Sequence, residues 1–329
     1  MTTKNQDIQY YIHCLKNLRR DRKKGGAPHK PILLLSVFQL IESGYIKNNK
    51  IYLTPELVSV FKSNWSHLVV SDYSHMIFSL PYYHMKSEPF WRLKPNIGCE
   101  KWVEAKSAMK TFANLKEAVN YAEIDIDLFF LLQNFVICNE LKLFLLDHYF
   151  PETKQNYPHV VRFDDLDAIS KQIIQESSAD YKNRIEELEQ TLDKDEYEQE
   201  IFVRSHLFKR EIIKIYNSTC CISGLRIDAI DNISMIDACH IVPFSESRND
   251  SITNGIALCP NLHRAFDRGL IVINDDYRIV INPIFTEPYP SAYSITQFSG
   301  TQILLPTNPK YYPERVYLAQ HRQQFNLDF

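Results

Sequence analysis

"DACHIVPFSESRNDSITNGIALCPNLHRAFDRGL" (residues 237–270) decides how this chain is read. "DACHIVPF" has the apolar content of a buried strand, yet it carries Asp237 and His240, and Pro243 follows closely. A core strand needs neither an acid nor an imidazole, and burying either without a partner is costly. "NGIALCPNLHRAFDRGLIVIN" reads as a turn, a helix and a strand. On that helix His263 and Asp267 stand at i and i+4 and share one face. An imidazole beside a carboxylate is a workable ligand pair for a hard or borderline divalent cation. Residues three apart on a flat strand face opposite ways, but a twisted or bulged end lets Asp237 reach a metal beside His240. Between strand and helix, "RNDSITNG" supplies turn chemistry, and Asn254 can bond the loop backbone and fix its shape.

The surrounding composition is that of an ordinary globular protein: 329 residues, 45% hydrophobic and 23% charged. That length predicts two domains. The longest apolar run, "PILLLSVFQLI", is too short and too interrupted to span a bilayer. The N-terminus lacks the apolar region of a signal peptide, so a soluble cytoplasmic protein is expected. The seven cysteines are odd in number and contain no C-x-x-C pair. This argues against a disulfide framework and a four-cysteine zinc site, and for buried free thiols. Net charge is −3, but the charge is unevenly spread. "LRRDRKKGGAPHK" (residues 18–30) is densely basic, and "RIEELEQTLDKDEYEQE" (residues 184–200) is densely acidic. A basic patch can bind phosphates on a protein that is neutral overall, although a solvated helix end has the same composition.

Along the chain, residues 7–20 have helical periodicity, and "ILLLSVFQLIESG" reads as a buried helix with Gly44 near its C-cap. "YIKNNKIYL" reads as a hairpin turned at Asn48–Asn49. Pro55 opens a helix to about Trp65, and extended segments are expected around "MIFSLPYYHM" and "FWRLKP". Residues 101–150 read as mostly helical. Residues 166–200 are a charged helical stretch with sparse apolar positions, which reads as a connector. From residue 201 the pattern restarts with the amphipathic "FVRSHLFKREIIKIYN". Short strands around Gly224 follow, and a last helix lies around "ERVYLAQHRQQF". The expected fold class is α+β with residues 1–165 as one domain, 166–200 as a linker and 201–329 as the second domain.

The order His240, Asn254, His263 within "HIVPF", "NGIALC" and "LHRAFDRG" resembles the HNH nuclease family, over roughly residues 201–329. The resemblance implies a ββα-metal fold and metal-dependent hydrolysis of phosphodiester bonds in double-stranded DNA. Carried over, His240 is the general base that deprotonates the attacking water. Asn254 positions the catalytic loop, and Asp237, His263 and Asp267 are the metal ligands. The family often has Asp or His directly before the base, where this chain has Cys239. Asp237 is the expected substitute and Cys239 the alternative, since thiolate suits zinc better than magnesium. The implied cofactor is one divalent ion, Mg2+ or Mn2+.

In the first half, "GGAPHKPILLL" and "MKSEPFWRLKP" resemble the sulfur-binding domain of restriction endonucleases that cut phosphorothioate-modified DNA. His29, Lys30 and Pro89 take the places that line the sulfur pocket in that family. Glu88 stands where sulfur readers tend to have Tyr. Arg19, Arg20, Arg22, Lys23 and Lys24 can neutralise DNA phosphates. Gly25–Gly26 permits close backbone approach. The whole then reads as a restriction or defence endonuclease directed to modified DNA, acting as a homodimer with the acidic connector as candidate interface. Two alternatives stay open: an HNH nuclease that recognises an unmodified sequence, and a non-catalytic DNA-binding protein that keeps the fold.

Overall fold

The computed structural model describes residues 7–21, 26–70, 75–105, 111–227, 234–289 and 291–327. Asp7 caps α1 (Ile8–Lys16) by accepting the Tyr10 N–H at 3.0 Å. "PILLLSVFQLI" is apolar on every face, and α2 (His29–Glu42) is accordingly buried from Lys30 to Ile41. Pro31 sits in its first turn, where a missing N–H has no helical partner to lose. Gly44, at φ +74°, follows the helix end. Tyr45 and Ile46 both donate their N–H groups back to the Leu40 carbonyl. The hairpin expected at Asn48–Asn49 therefore does not form, because "YI" closes the helix instead of building a strand. β1 (Lys50–Ile51) pairs instead with a strand far along the chain.

Thr54 caps α3 (Pro55–Leu68). The segment expected to be extended around "MIFSLPYYHM" contains α4 (Ser79–His84), which buries Pro81, Tyr82 and Tyr83. Pro81 is tolerated in the first turn, and burial of the aromatic rings outweighs their modest helix preference. β2 (Trp91–Pro95), α5 (Glu100–Glu104), α6 (Phe112–Ala118), β3 (Val119–Ile124), α7 (Ile126–Gln133) and α8 (Phe135–Tyr149) follow. β3 interrupts a block that reads as helical. It is the centre of an antiparallel sheet ordered β1-β3-β2, with Lys50 opposite Glu123 and Trp91 opposite Ile124. The Tyr82 hydroxyl clamps this sheet, donating to the Ile51 carbonyl at 2.5 Å and accepting the Ala122 N–H at 2.9 Å. α2 packs against α3, α4, α7 and α8 and forms the core.

The charged stretch forms α9 (Asp164–Gln175), α10 (Ser178–Thr191) and the start of α11 (Lys194–Ile215). The chain divides into two compact units, residues 1–166 with 192–203, and residues 167–191 with 204–329. The stretch is thus shared between the units, and its sparse apolar side chains Leu166, Ile173, Tyr181 and Ile185 are buried. No single helix among the described residues is long and apolar enough to cross a membrane.

In the second unit, the strands expected around Gly224 reduce to one bridge, Thr219 to Arg226. Then come β4 (Asp237–His240), α12 (Phe244–Ser247), β5 (Gly255–Leu258), α13 (Pro260–Asp267), β6 (Ile271–Ile273), β7 (Ile279–Ile281) and α14 (Arg315–Gln324). "GIAL" reads as part of a turn but forms β5, buried along its whole length. β4 and β5 are antiparallel, with Asp237 opposite Leu258 and His240 opposite Gly255. A Cβ at Gly255 would lie 2.5 Å from Ile212 and 2.7 Å from Phe208. Glycine there lets α11 lie directly on the strand.

Candidate active site

Alternation along β4 sends its side chains two ways. Asp237 and Cys239 face α13. His263 Nδ1 lies 3.3 Å from Asp237 Oδ2, and His263 Nε2 lies 3.5 Å from Asp267 Oδ2. Cys239 Sγ donates to Asp267 Oδ1 at 3.7 Å. The donor atoms of Cys239, His263 and Asp267 all lie within 4.8 Å of one another. Burial pushes the Cys239 thiol well above its ordinary range, and the neighbouring Asp267 carboxylate pushes the same way. With no metal bound it is a protonated donor to Asp267. The two carboxylates flank opposite nitrogens of the ring, so Asp237 stands outside the group of converging donor atoms formed by Cys239, His263 and Asp267. An imidazole beside a carboxylate suits a borderline divalent cation.

His240 faces the other way. Its ring stacks on Phe208 of α11, with centroids 4.4 Å apart and planes 17° apart. His240 Nε2 lies 2.6 Å from Asp250 Oδ1. Asp250 is fully buried, and its other oxygen accepts the Tyr181 hydroxyl at 3.2 Å. Burial, reinforced by Asp250, raises the Tyr181 phenol and keeps it a donor.

Asn254 is also fully buried. Its Oδ1 accepts the Val242 N–H at 2.9 Å, and its Nδ2 donates to the Val242 and Asn249 carbonyls, both at 3.0 Å. One amide thus ties both ends of the loop between β4 and β5. Asn249 accepts the Ser251 N–H at 2.8 Å and donates to the Tyr317 hydroxyl at 2.8 Å, which fixes the residues on either side of Asp250.

His240, Asn254, His263, Asp237 and Asp267 are all expected from the sequence, whereas Asp250 and Tyr181 are not. Asp250 lies in "RNDSITNG", where an acid is ordinary turn chemistry. Tyr181 is 69 residues from it, in a charged stretch that carries no signal.

In the N-terminal unit, Arg19, Arg20, His29 and Lys30 line one cleft of about 750 Å³, together with Pro81 and Lys86. Lys30, expected to line the sulfur pocket, turns inward: its ammonium lies 2.5 Å from Glu88 Oε1 and donates to the Ser87 hydroxyl at 2.8 Å. Burial lowers its proton affinity, and the Glu88 carboxylate opposes that. The Arg19 N–H also donates to Glu88, at 3.0 Å. The charge of Glu88, which from sequence alone would repel an anion, is thereby compensated. Arg20 lies over the Tyr149 ring at 4.5 Å and closely against Gly26, whose φ is +96°. A Cβ at Gly26 would come within 2.6 Å of that guanidinium. The His29 ring sits 4.6 Å from the Trp65 ring, and burial lowers its proton affinity. Pro89 is exposed. Arg22, Lys23, Lys24 and Gly25 lie outside the described residues.

Residues 220–274 match the HNH_2 family model, described as HNH endonuclease, so an HNH endonuclease domain lies in the C-terminal region. Among solved structures, the chain is similar to a modification-dependent restriction endonuclease, TagI, at 21% identity with a TM-score of 0.27. That match covers 36% of this chain and 36% of the other. No curated protein matches the chain.

Proposed function

We propose that this protein is an HNH endodeoxyribonuclease of restriction or defence type. It hydrolyses phosphodiester bonds in double-stranded DNA at its C-terminal site, and its N-terminal unit directs it to the target. The observation that supports this best is the division of labour around β4. One face presents a carboxylate to the His263–Asp267 pair on α13. The other holds an imidazole with one ring nitrogen bonded to Asp250 and, among the described residues, no hydrogen bond to the second.

His240 takes the proton of the attacking water through that second nitrogen, a contribution of roughly 10²–10⁴-fold. Asn254 keeps the loop rigid enough for the ring to hold its place. Asp237, His263 and Asp267 would hold the cation. A bound Mg2+ or Mn2+ would supply charge stabilisation at the phosphate and the leaving oxygen. Cys239 is not a ligand in this reading. With one such site per chain, cutting both strands calls for rebinding or for two copies, and we infer a homodimer.

For the N-terminal unit we propose recognition of modified DNA through the cleft beside Arg19, Arg20 and His29. Within that reading Lys30 braces the loop through Glu88. The same ion pair favours a second reading, in which the unit reads an unmodified sequence, because no bare cation stands at Lys30.

One experiment addresses both. Plain, methylated and phosphorothioate DNAs of one sequence are incubated with the protein and Mg2+ or Mn2+, with His240→Ala alongside. Cleavage restricted to one modified form, and lost in His240→Ala, is the expected result. Equal rates on all three substrates leave the nuclease and remove modification reading. Persistent absence of nicking with either metal removes the nuclease.

A further inference from the structure

We propose that Asp250, braced by Tyr181, is a positioning residue that fixes the tautomer and orientation of His240. This rests on the nuclease reading above and goes beyond it, since nothing in the HNH resemblance calls for an acid at this place. His240 Nε2–H donates to Asp250 Oδ1 at 2.6 Å, a short bond to a carboxylate. That leaves the lone pair on Nδ1, so only one nitrogen can take a proton from water. When Nδ1 takes it, the ring becomes an imidazolium facing a carboxylate.

Three features show that this carboxylate is built in rather than incidental. Asp250 has no solvent exposure, so its desolvation must be offset by its partners. Its second oxygen accepts the hydroxyl of a buried tyrosine, which fixes the plane of the carboxylate. Phe208 lies flat on the imidazole and excludes the opposite face, so ring and carboxylate share one arrangement. A ring held only by packing could still flip and present the wrong nitrogen.

The test uses the full-length protein, steady-state nicking of plasmid DNA with Mn2+, and ¹⁵N spectra of the histidine rings. The parent should show the neutral His240 ring protonated at Nε2. Asp250→Asn should lower kcat about 100-fold with little change in KM, and its His240 spectrum should show mixed tautomers. Asp250→Glu should recover part of the loss, and Tyr181→Phe should lower kcat by a smaller factor. Unchanged kcat in Asp250→Asn overturns the proposal, as does a parent ring protonated at Nδ1. A loss that falls on KM alone also overturns it. If Asp250→Asn does not fold, the parent spectrum and Tyr181→Phe decide. If the parent itself never nicks DNA, the nuclease reading fails, while the spectra still show whether Asp250 sets the ring.

Discussion

Cys239 and His321 are both buried groups whose protonation the fold holds in place. With no metal bound, burial and the Asp267 carboxylate both oppose ionisation of the Cys239 thiol. If Asp237 rather than Cys239 completes the metal set, a Co2+-loaded sample should lack the intense thiolate-to-metal absorption that a bound cysteine gives. Asp267→Ala should weaken metal-supported nicking more than Cys239→Ala does. A strong thiolate band would make Cys239 a ligand. His321 on α14 stacks on Phe266 of α13, with centroids 3.8 Å apart, and its Nε2–H donates to the Phe266 carbonyl at 3.1 Å. Its Nδ1 is buried and has no hydrogen-bond partner among the described residues. Burial lowers its pKa from 6.5 to about 4. The folded protein holds this ring neutral where the unfolded chain would protonate it. The associated stability is therefore complete above about pH 6.5 and is lost as pH falls towards 4. At one pKa unit per 1.36 kcal/mol, the loss is about 3 kcal/mol. Urea midpoints at pH 7.5 and 4.5 should differ more for the parent than for His321→Gln, and equal pH dependence in the two proteins would remove His321 as the cause.

The loop between β4 and β5 depends on one amide, and the seating of β5 depends on one missing methyl group. Asn254→Ala leaves the Val242 N–H and two carbonyls without their partner in a buried place, which should cost about 3 kcal/mol. It should also disorder the residues that hold Asp250. Gly255→Ala puts a methyl into Ile212 and Phe208, and overpacking of this kind costs about 1–3 kcal/mol. Because Phe208 also stacks on His240, the same change should lower kcat, which chemical denaturation and nicking assays measure separately. Interactions of short range were legible in sequence: the shared face of His263 and Asp267, the local bonding of Asn254, and the helix opened by Pro55. Long-range ones were not. β1 finds its partner in β3, Lys30 finds Glu88 across 58 residues, and Tyr181 finds Asp250 across 69. α4 escaped because aromatic and proline-rich sequence reads as extended until burial decides. The seating of β5 escaped because it opens on the turn-like pair Asn254–Gly255, and a glycine needed for close approach looks like a glycine needed for a turn.

At the scale of the whole molecule, a nuclease that reads DNA with one unit and cuts with the other should bind and cleave through separate residues, and salt dependence can test that separation. Removing one phosphate-binding cation reduces the slope of log affinity against log salt by about 0.9. Arg19 is exposed at the cleft, and its hydrogen bond to Glu88 comes from the backbone, so removing its side chain leaves the Lys30–Glu88 contact in place and relieves a repulsion on Lys30. Arg20 is less suitable because its guanidinium packs on Tyr149 and Gly26. In binding titrations of the full-length protein across a range of salt, Arg19→Ala should shallow the slope by about one unit. It should weaken modified and plain DNA alike, since an interaction with phosphate carries no sequence information. His240→Ala should bind with the parental slope and fail to cut. If Arg19→Ala keeps the parental slope, the cleft is not where DNA lies. If His240→Ala changes the slope as much as Arg19→Ala does, binding and cleavage do not divide between the two units as proposed.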